Sequence, residues 1–176
     1  MNAVKKISIT GIGIALFVVL TLCLQVPIFE NYYVCLGYLV MAVYCCSVGV
    51  TSGTIVGALG VVLYCLIVNG LRGMPGWVLG NLIIGIIAGF AFKYTRDMKN
   101  NVLKYIICGI AIIFSTFLGI FVCKSLLESV IYSQPFILRV VNNIYAFVSD
   151  VIVLIFALPF CELLDKRVRK IINKGV

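Results

Sequence analysis

The chain has 176 residues, of which 63% are hydrophobic and 11% are charged. A soluble domain carries about twice that share of charged residues, so the composition excludes an ordinary soluble protein and indicates an integral membrane protein. The net charge of +8 does not indicate a nucleic acid as partner, because no basic stripe alternates with exposed polar residues. Basic loops beside an anionic lipid bilayer explain that charge better. We expect one membrane domain over residues 1–176 and no separate soluble catalytic domain.

The first apolar run predicts a membrane helix at about residues 7–26, which Pro27 ends. A short basic region precedes it, as in a secretory signal, but the run is long for a signal core and no small-x-small cleavage site follows. We therefore interpret it as a retained helix. Gly11 and Ala15 form a ridge of small residues near its start, and such ridges let two helices approach closely. The alternative interpretation of this ridge is helix packing inside the protein, which uses the same pattern.

The uncharged stretch that follows predicts two more spans. Residues 31–71 contain no charge, and as one helix they would be about 60 Å long, twice the hydrocarbon thickness of a bilayer. Turn-forming residues gather only at Gly49–Gly53. The stretch is therefore predicted to fold back there, with spans at about residues 34–48 and 54–69.

Loop residues divide the rest of the chain into three further spans. They are predicted at about residues 77–92, 105–123 and 142–164. The segment Lys124–Val141 holds Glu128, Pro135 and Arg139, which is too polar for lipid exposure, and we expect it to form a long outer segment. The chain is thus predicted to be an all-α membrane protein, a six-transmembrane-helix bundle.

The basic residues predict which loops are cytoplasmic. Eleven of the fourteen lysines and arginines lie in three clusters: Lys5–Lys6, Lys93–Lys104 and Lys166–Lys174. The other three are Arg72, Lys124 and Arg139. Six spans place all three clusters on one face of the bilayer. Because positive loops are retained inside the cell, the N and C termini are both predicted to be cytoplasmic.

Catalytic motifs are not visible in the sequence. The chain has no histidine, and none of its eight cysteines forms a CxxC pair, so we expect no metal site and interpret the cysteines as small buried hydrophobic residues. No P-loop is present, so ATP hydrolysis by that route is excluded. The six acidic residues are too few and too scattered for an embedded hydrolase or transferase. No filter-like sequence supports a channel. We expect no catalytic residue and no cofactor.

Polar and aromatic residues gather toward the predicted outer face. The candidate substrate-binding residues are Trp77, Asn81, Asn143, Asp150, Arg72, Tyr32, Tyr33 and Asn142. Trp77 and Asn81 are four residues apart and share a helix face. Polar side chains within a membrane are costly and usually face a cavity or another helix. Aromatic rings beside amides and one or two charges are typical of a pocket for a small, polar, ring-containing solute.

Each of these residues also has a structural interpretation. Trp77 and the tyrosines could belong to an interfacial aromatic belt. Asn81 could join two helices, and Asp150 could pair with Arg139 or Arg72. The pocket hypothesis depends on the residues converging.

The order of these features resembles that of the substrate-binding S components of energy-coupling factor (ECF) vitamin transporters. The resemblance begins with the basic start, the first helix with small residues four apart, and the exit QVPIF. It continues in the runs GVTSGTIVGALGVVLYCLIVNG and GMPGWVLGNLIIGIIAGFAFK. The sequence is most similar to the riboflavin and hydroxymethylpyrimidine/pyridoxine-like group.

The resemblance implies a mechanism. An S component binds a vitamin or vitamin precursor, here a heteroaromatic one, in an outward-facing pocket of the bacterial cell membrane. It docks on a membrane coupling subunit T that two ABC-type ATPase subunits drive, and it topples to release the ligand inside. Gly11 and Ala15 match the docking ridge, where the family usually has alanine at both positions. The alternative is a membrane scaffold or assembly protein without a ligand.

Overall fold

The computed structural model describes residues 3–23, 27–29, 32–68, 70–71 and 73–174. This part of the chain is almost entirely helical. Its helices are α1 (Ala3–Cys23), α2 (Gly37–Ser47), α3 (Val50–Ile67), α4 (Met74–Thr95), α5 (Asn101–Thr116), α6 (Ser125–Tyr132) and α7 (Phe136–Lys174). A π-helical segment, Phe117–Lys124, joins α5 to α6 without a break. A small antiparallel hairpin of β1 (Pro27–Phe29) and β2 (Tyr32–Tyr33) lies between α1 and α2.

Five helical stretches of the described residues are long and apolar enough to cross a bilayer. They are Ala3–Cys23, Val50–Ile67, Met74–Thr95, Asn101–Tyr132 and Phe136–Asp165. The sixth, α2, has 11 residues and is about 16 Å long, half the hydrocarbon thickness. Eight of its residues are buried, so α2 packs inside the bundle rather than against lipid. The predicted ends of the first and third spans, residues 24–26 and 69, lie outside the described residues.

The segment between the fifth and sixth predicted spans differs from the prediction. We expected a long outer segment at Lys124–Val141, but helix continues to Tyr132 and resumes at Phe136. Only a tight turn separates the two helices, with Ser133 in the left-handed conformation at φ 52°. Glu128, one of the residues that suggested an outer segment, is buried inside the bundle and pairs with Lys124, which is also buried.

The helices alternate in direction, so residues far apart in sequence meet at two ends. One end, called here the Trp77 end, brings together the start of α2, the end of α3, the start of α4, α6 and the start of α7. The other, called the basic end, holds Arg96 and Lys104 and joins the end of α2, the end of α4, the start of α5 and the last third of α7. Both ends therefore depend on the packing of at least four helices.

Glycines allow α4 to approach the π-helical segment and α6 closely. A Cβ on Gly119 would lie 2.7 Å from the backbone oxygen of Gly80, which is closer than real Cβ contacts. A Cβ on Gly76 would lie 3.0 Å from Lys124 Cγ and 3.3 Å from Glu128 Cγ. The absence of side chains at these glycines is what places Lys124 and Glu128 against the start of α4.

Candidate functional site

A hydrogen-bonded chain of aromatic and amide groups connects α2, α3 and α4 at the Trp77 end. Trp77 Nε1 donates to the hydroxyl oxygen of Tyr38 at 2.9 Å, and that hydroxyl donates to Asn81 Oδ1 at 2.7 Å. Asn81 Nδ2 in turn donates to the backbone oxygen of Gly57 at 2.9 Å. The ring of Tyr64 meets the Trp77 ring edge-on, with 5.6 Å between centroids. Trp77 is therefore held in one orientation while its side chain stays partly exposed.

Asp150 of α7 lies against this chain. Its carboxylate faces the Tyr38 hydroxyl and accepts a long hydrogen bond, 3.5 Å, from Ser149 Oγ. It is 5% exposed, and Lys124 is the cation whose charge acts on it. A buried carboxylate in an apolar bundle is costly unless paired or bound, so Asp150 is a candidate site residue.

A second polar cluster, centred on Glu128 of α6, adjoins the first. Glu128 lies 3.9 Å from Lys124 Nζ and 4.0 Å from Arg139 Nη1. Asn143 Nδ2 donates to Glu128 Oε2 at 3.2 Å and lies 3.0 Å from Ser125 Oγ. Lys124 connects the two clusters, because it pairs with Glu128 and also acts on Asp150.

Two buried polar atoms of the second cluster have hydrogen-bonding capacity that no described group uses. They are the carbonyl oxygen Oδ1 of Asn143 and the Nε–H of Arg139. Asn143 is fully buried, and leaving a buried acceptor unpaired costs about 1–3 kcal/mol. A buried acceptor and a buried donor at the same end of the bundle as an oriented tryptophan are groups that can bind a polar, flat solute.

The structure places four of the eight predicted site residues in these two clusters. Trp77, Asn81 and Asp150 share the first cluster, and Asn143 lies in the second. Asn142 is exposed, unlike its neighbour Asn143. For Tyr32 and Tyr33, only the backbone of β2, which lies beside α7, is described. Arg72 lies outside the described residues.

Asn81 is hydrogen-bonded within the protein at both ends of its amide. This is the geometry expected of a residue that joins two helices. Arg139, suggested as a partner of Asp150, instead pairs with Glu128 and lies 4.5 Å from the Tyr132 ring centroid.

Sequence reasoning did not assign several residues of the two clusters to the site, among them Tyr38, Lys124, Ser125 and Glu128. The i, i+4 pair of Lys124 and Glu128 in an apolar setting was a usable signal, because such a pair can neutralise itself on a helix. No sequence signal marks Tyr38, which stands among apolar residues and gains its role only from packing.

The predicted docking residues lie on the outer surface of α1. Gly11 and Ala15 are both exposed, and a Cβ on Gly11 would meet nothing within 4 Å. Gly13 behaves differently, since its Cβ would lie 2.6 Å from the Tyr44 ring. Gly13 therefore serves internal packing, whereas the ridge of Gly11 and Ala15 is left uncovered.

Comparisons with known proteins agree on one family. A family model described as "ECF-type riboflavin transporter, S component" matches residues 1–166. A UPF0397 protein of Lactobacillus acidophilus is 33% identical over 152 residues, 84% of this chain and 81% of its own. A UPF0397 protein of Streptococcus thermophilus is 29% identical over 153 residues, 81% of this chain and 84% of its own. One from Lactococcus lactis is 35% identical over 95 residues, about half of each chain. No solved structure matches the chain.

Proposed function

Because the chain belongs to the family of ECF-type riboflavin transporter S components, we propose that it binds a small heteroaromatic vitamin or vitamin precursor from outside the cell. It then delivers this ligand through a coupling subunit T that two ABC-type ATPase subunits drive. Membership makes the chain a multi-pass membrane subunit of a vitamin transporter, a substrate-binding rather than catalytic component, and its relatives are bacterial. The ligand class and the coupling to ATPases are the proposed part.

The proposed binding site is the Trp77 end. The observation that carries it is the pair of unused buried atoms, Asn143 Oδ1 and Arg139 Nε, beside the cluster that orients Trp77. In the proposal the ligand ring stacks on Trp77, and its polar edge bonds Asn143 and Asp150. Asn81 positions Trp77 through Tyr38. Arg72, Tyr32, Tyr33 and Asn142, from the loops and helix start at this end, are proposed to complete the entrance.

In the proposed topology, α2 completes six crossings and both termini are cytoplasmic. The basic end, with Arg96 and Lys104, faces inward, as retention of positive loops requires. Single cysteines at two exposed positions, Lys99 and Gln134, in a variant without native cysteines would report the two faces. An impermeant maleimide on intact cells is expected to label position 134 and to reach position 99 only after permeabilisation. The reverse pattern would refute this topology.

Trp77→Ala is expected to weaken ligand binding about ten-fold or more. Aromatic stacking contributes about 0.5–1.5 kcal/mol beyond the buried area, and 1.4 kcal/mol corresponds to a factor of ten. Binding is measured by titrating purified protein with riboflavin as the first probe. Trp77→Phe should bind with an affinity between those of the wild type and Trp77→Ala, because it retains an aromatic ring but loses the hydrogen bond to Tyr38.

Phe90→Ala is the matched control for this series. Phe90 is an exposed aromatic residue of the same helix, stacked on Tyr94 away from the site, and its removal should leave binding unchanged. If Trp77→Ala binds as tightly as the wild type but melts at a lower temperature, Trp77 is a packing residue. The site would then have to be sought elsewhere at this end.

The proposed docking surface is the ridge of Gly11 and Ala15 on α1. The exposure of both residues and the open space beside Gly11 support a partner helix there, since small residues permit close helix approach. A scaffold protein that only packs partners would use a similar ridge, but it would not need the buried polar cluster at the Trp77 end.

A further inference from the structure

A cavity opens at the basic end of the bundle, opposite the proposed ligand site. It is a cleft of about 190 Å³ between α2, α4, α5 and α7. Three cysteines from three different helices line it, namely Cys46 of α2, Cys108 of α5 and Cys161 of α7. This concentration of thiols has no part in the proposed transport function.

The charged groups of the cleft are already engaged with protein partners. Arg96 Nη2 donates to the backbone oxygen of Cys46 at 2.8 Å, which caps the end of α2. Lys104 pairs with Glu162 at 3.6 Å, and the Tyr105 hydroxyl donates to the same carboxylate. No set of three or more potential ligands among the described residues could hold a metal ion. The chemistry that remains in the cleft is that of its thiols.

Two of the three thiols contact each other across helices. Cys46 and Cys161 line the same cleft, and their side chains lie within hydrogen-bonding range of each other. A disulfide therefore requires the two sulfur atoms to approach each other with an acceptable dihedral angle. Cys161 is buried, whereas Cys46 is partly exposed. Cys108 is engaged elsewhere, since its sulfur lies 3.1 Å from Thr95 Oγ1.

We propose that Cys46 and Cys161 are a redox modification site that forms a disulfide between α2 and α7 on exposure to a hydroperoxide. The more exposed thiolate, that of Cys46, attacks the terminal peroxide oxygen. The O–O bond breaks and Cys46 becomes a sulfenic acid. The leaving oxygen takes up the proton that the Cys46 thiol released on ionising, and it departs as an alcohol or water. Cys161 sulfur then attacks Cys46 sulfur, and the hydroxyl leaves as water with the Cys161 proton. Both cysteines are oxidised by one electron each, and the peroxide is reduced by two.

The position of the pair gives the bond a physical consequence. α2 packs extensively against α7, and a disulfide would tie these two helices together at the basic end. The oxidised protein should therefore melt at a higher temperature than the reduced protein, because the crosslink restricts the unfolded chain. Dithiothreitol should reverse the shift.

The test uses the purified full-length protein in detergent, treated with hydrogen peroxide and then blocked with a maleimide. Mass spectrometry after non-reducing digestion is expected to find a peptide pair joined through Cys46 and Cys161, with fragmentation separating Cys46 from its neighbour Cys45. The pair should be absent from Cys46→Ser and Cys161→Ser. It should persist in Cys123→Ser, whose thiol is partly exposed on the π-helical segment.

Two results would overturn the proposal. One is wild-type protein in which Cys46 and Cys161 both remain thiols after exposed Cys23 has been oxidised. The other is a link from Cys46 to Cys108 in place of Cys161. Both results are measured on the wild-type protein, so the test remains valid even if a cysteine variant fails to fold.

Discussion

Replacing Glu128 by Gln is expected to lower the melting temperature of the ligand-free protein in detergent by roughly 10 °C. Glu128 is 5% exposed and balances two cations, Lys124 and Arg139. Removing one partner of a buried ion pair costs about 3–5 kcal/mol, because the remaining charge stays buried and uncompensated. In a domain of this size each kcal/mol shifts the melting temperature by about 2–4 °C. Glu128 lies 3.9 Å and 4.0 Å from the two cations, so we use the lower end of the range of about 3–5 kcal/mol.

Two further variants show whether charge is the cause. Asp97→Asn removes an exposed acidic residue and should leave the melting temperature within about 1 °C, as surface changes usually do. Adding Arg139→Gln to Glu128→Gln should restore part of the lost stability, because it removes one unbalanced cation. A Glu128→Gln protein that melts like the wild type would contradict the buried cluster.

Gly11→Leu and Ala15→Leu are each expected to abolish uptake by the assembled transporter while ligand binding to the isolated subunit survives. The ridge is exposed, and Gly11 has no neighbour within reach of a Cβ, so a larger side chain should not disturb the fold. It would instead hold a partner helix away, since close approach needs small residues. Uptake in cells and titration of purified protein give the two measurements.

Gly109→Leu is the control for these docking variants. Gly109 is another helical glycine whose Cβ would meet nothing within 4 Å, but it lies on α5, away from the ridge. Its uptake should match that of the wild type. If Gly11→Leu and Ala15→Leu lose binding together with uptake, the ridge has a folding role. If they transport normally, the coupling subunit docks elsewhere.

The positions of the helices could be predicted from the sequence where a helix is apolar along its length. Hydrophobic length and turn residues suffice to place helices such as α3 and α4, because no tertiary contact has to be known. These features did not suffice at Lys124–Val141, which was predicted as a long outer segment. Helix lies on both sides of a tight turn there, and a charged pair is buried between helices. The i, i+4 spacing of Lys124 and Glu128 indicates that they can pair. Whether the pair is buried depends on Gly76 of α4 and Asn143 of α7, which no local pattern reports.

The candidate site was predictable only within single helices. The spacing of Trp77 and Asn81 places them on one face, and the two do share the Tyr38 hydroxyl. The burial of α7 residues could not be deduced, so Asn142 was kept as a candidate beside Asn143, although Asn142 is exposed and Asn143 is fully buried. Tyr38 enters the site through packing between α2 and α4, which sequence periodicity does not report.

The proposed function is tested most directly by the melting temperature of purified, ligand-free protein with and without vitamins. Riboflavin, hydroxymethylpyrimidine, pyridoxine and thiamine form the first panel. A ligand at a hundred times its Kd stabilises a protein by about 2.7 kcal/mol. We expect one heteroaromatic compound to raise the melting temperature saturably in the wild type and far less in Trp77→Ala. A folded wild-type protein that responds to none of them, as a scaffold would, is the contradicting result.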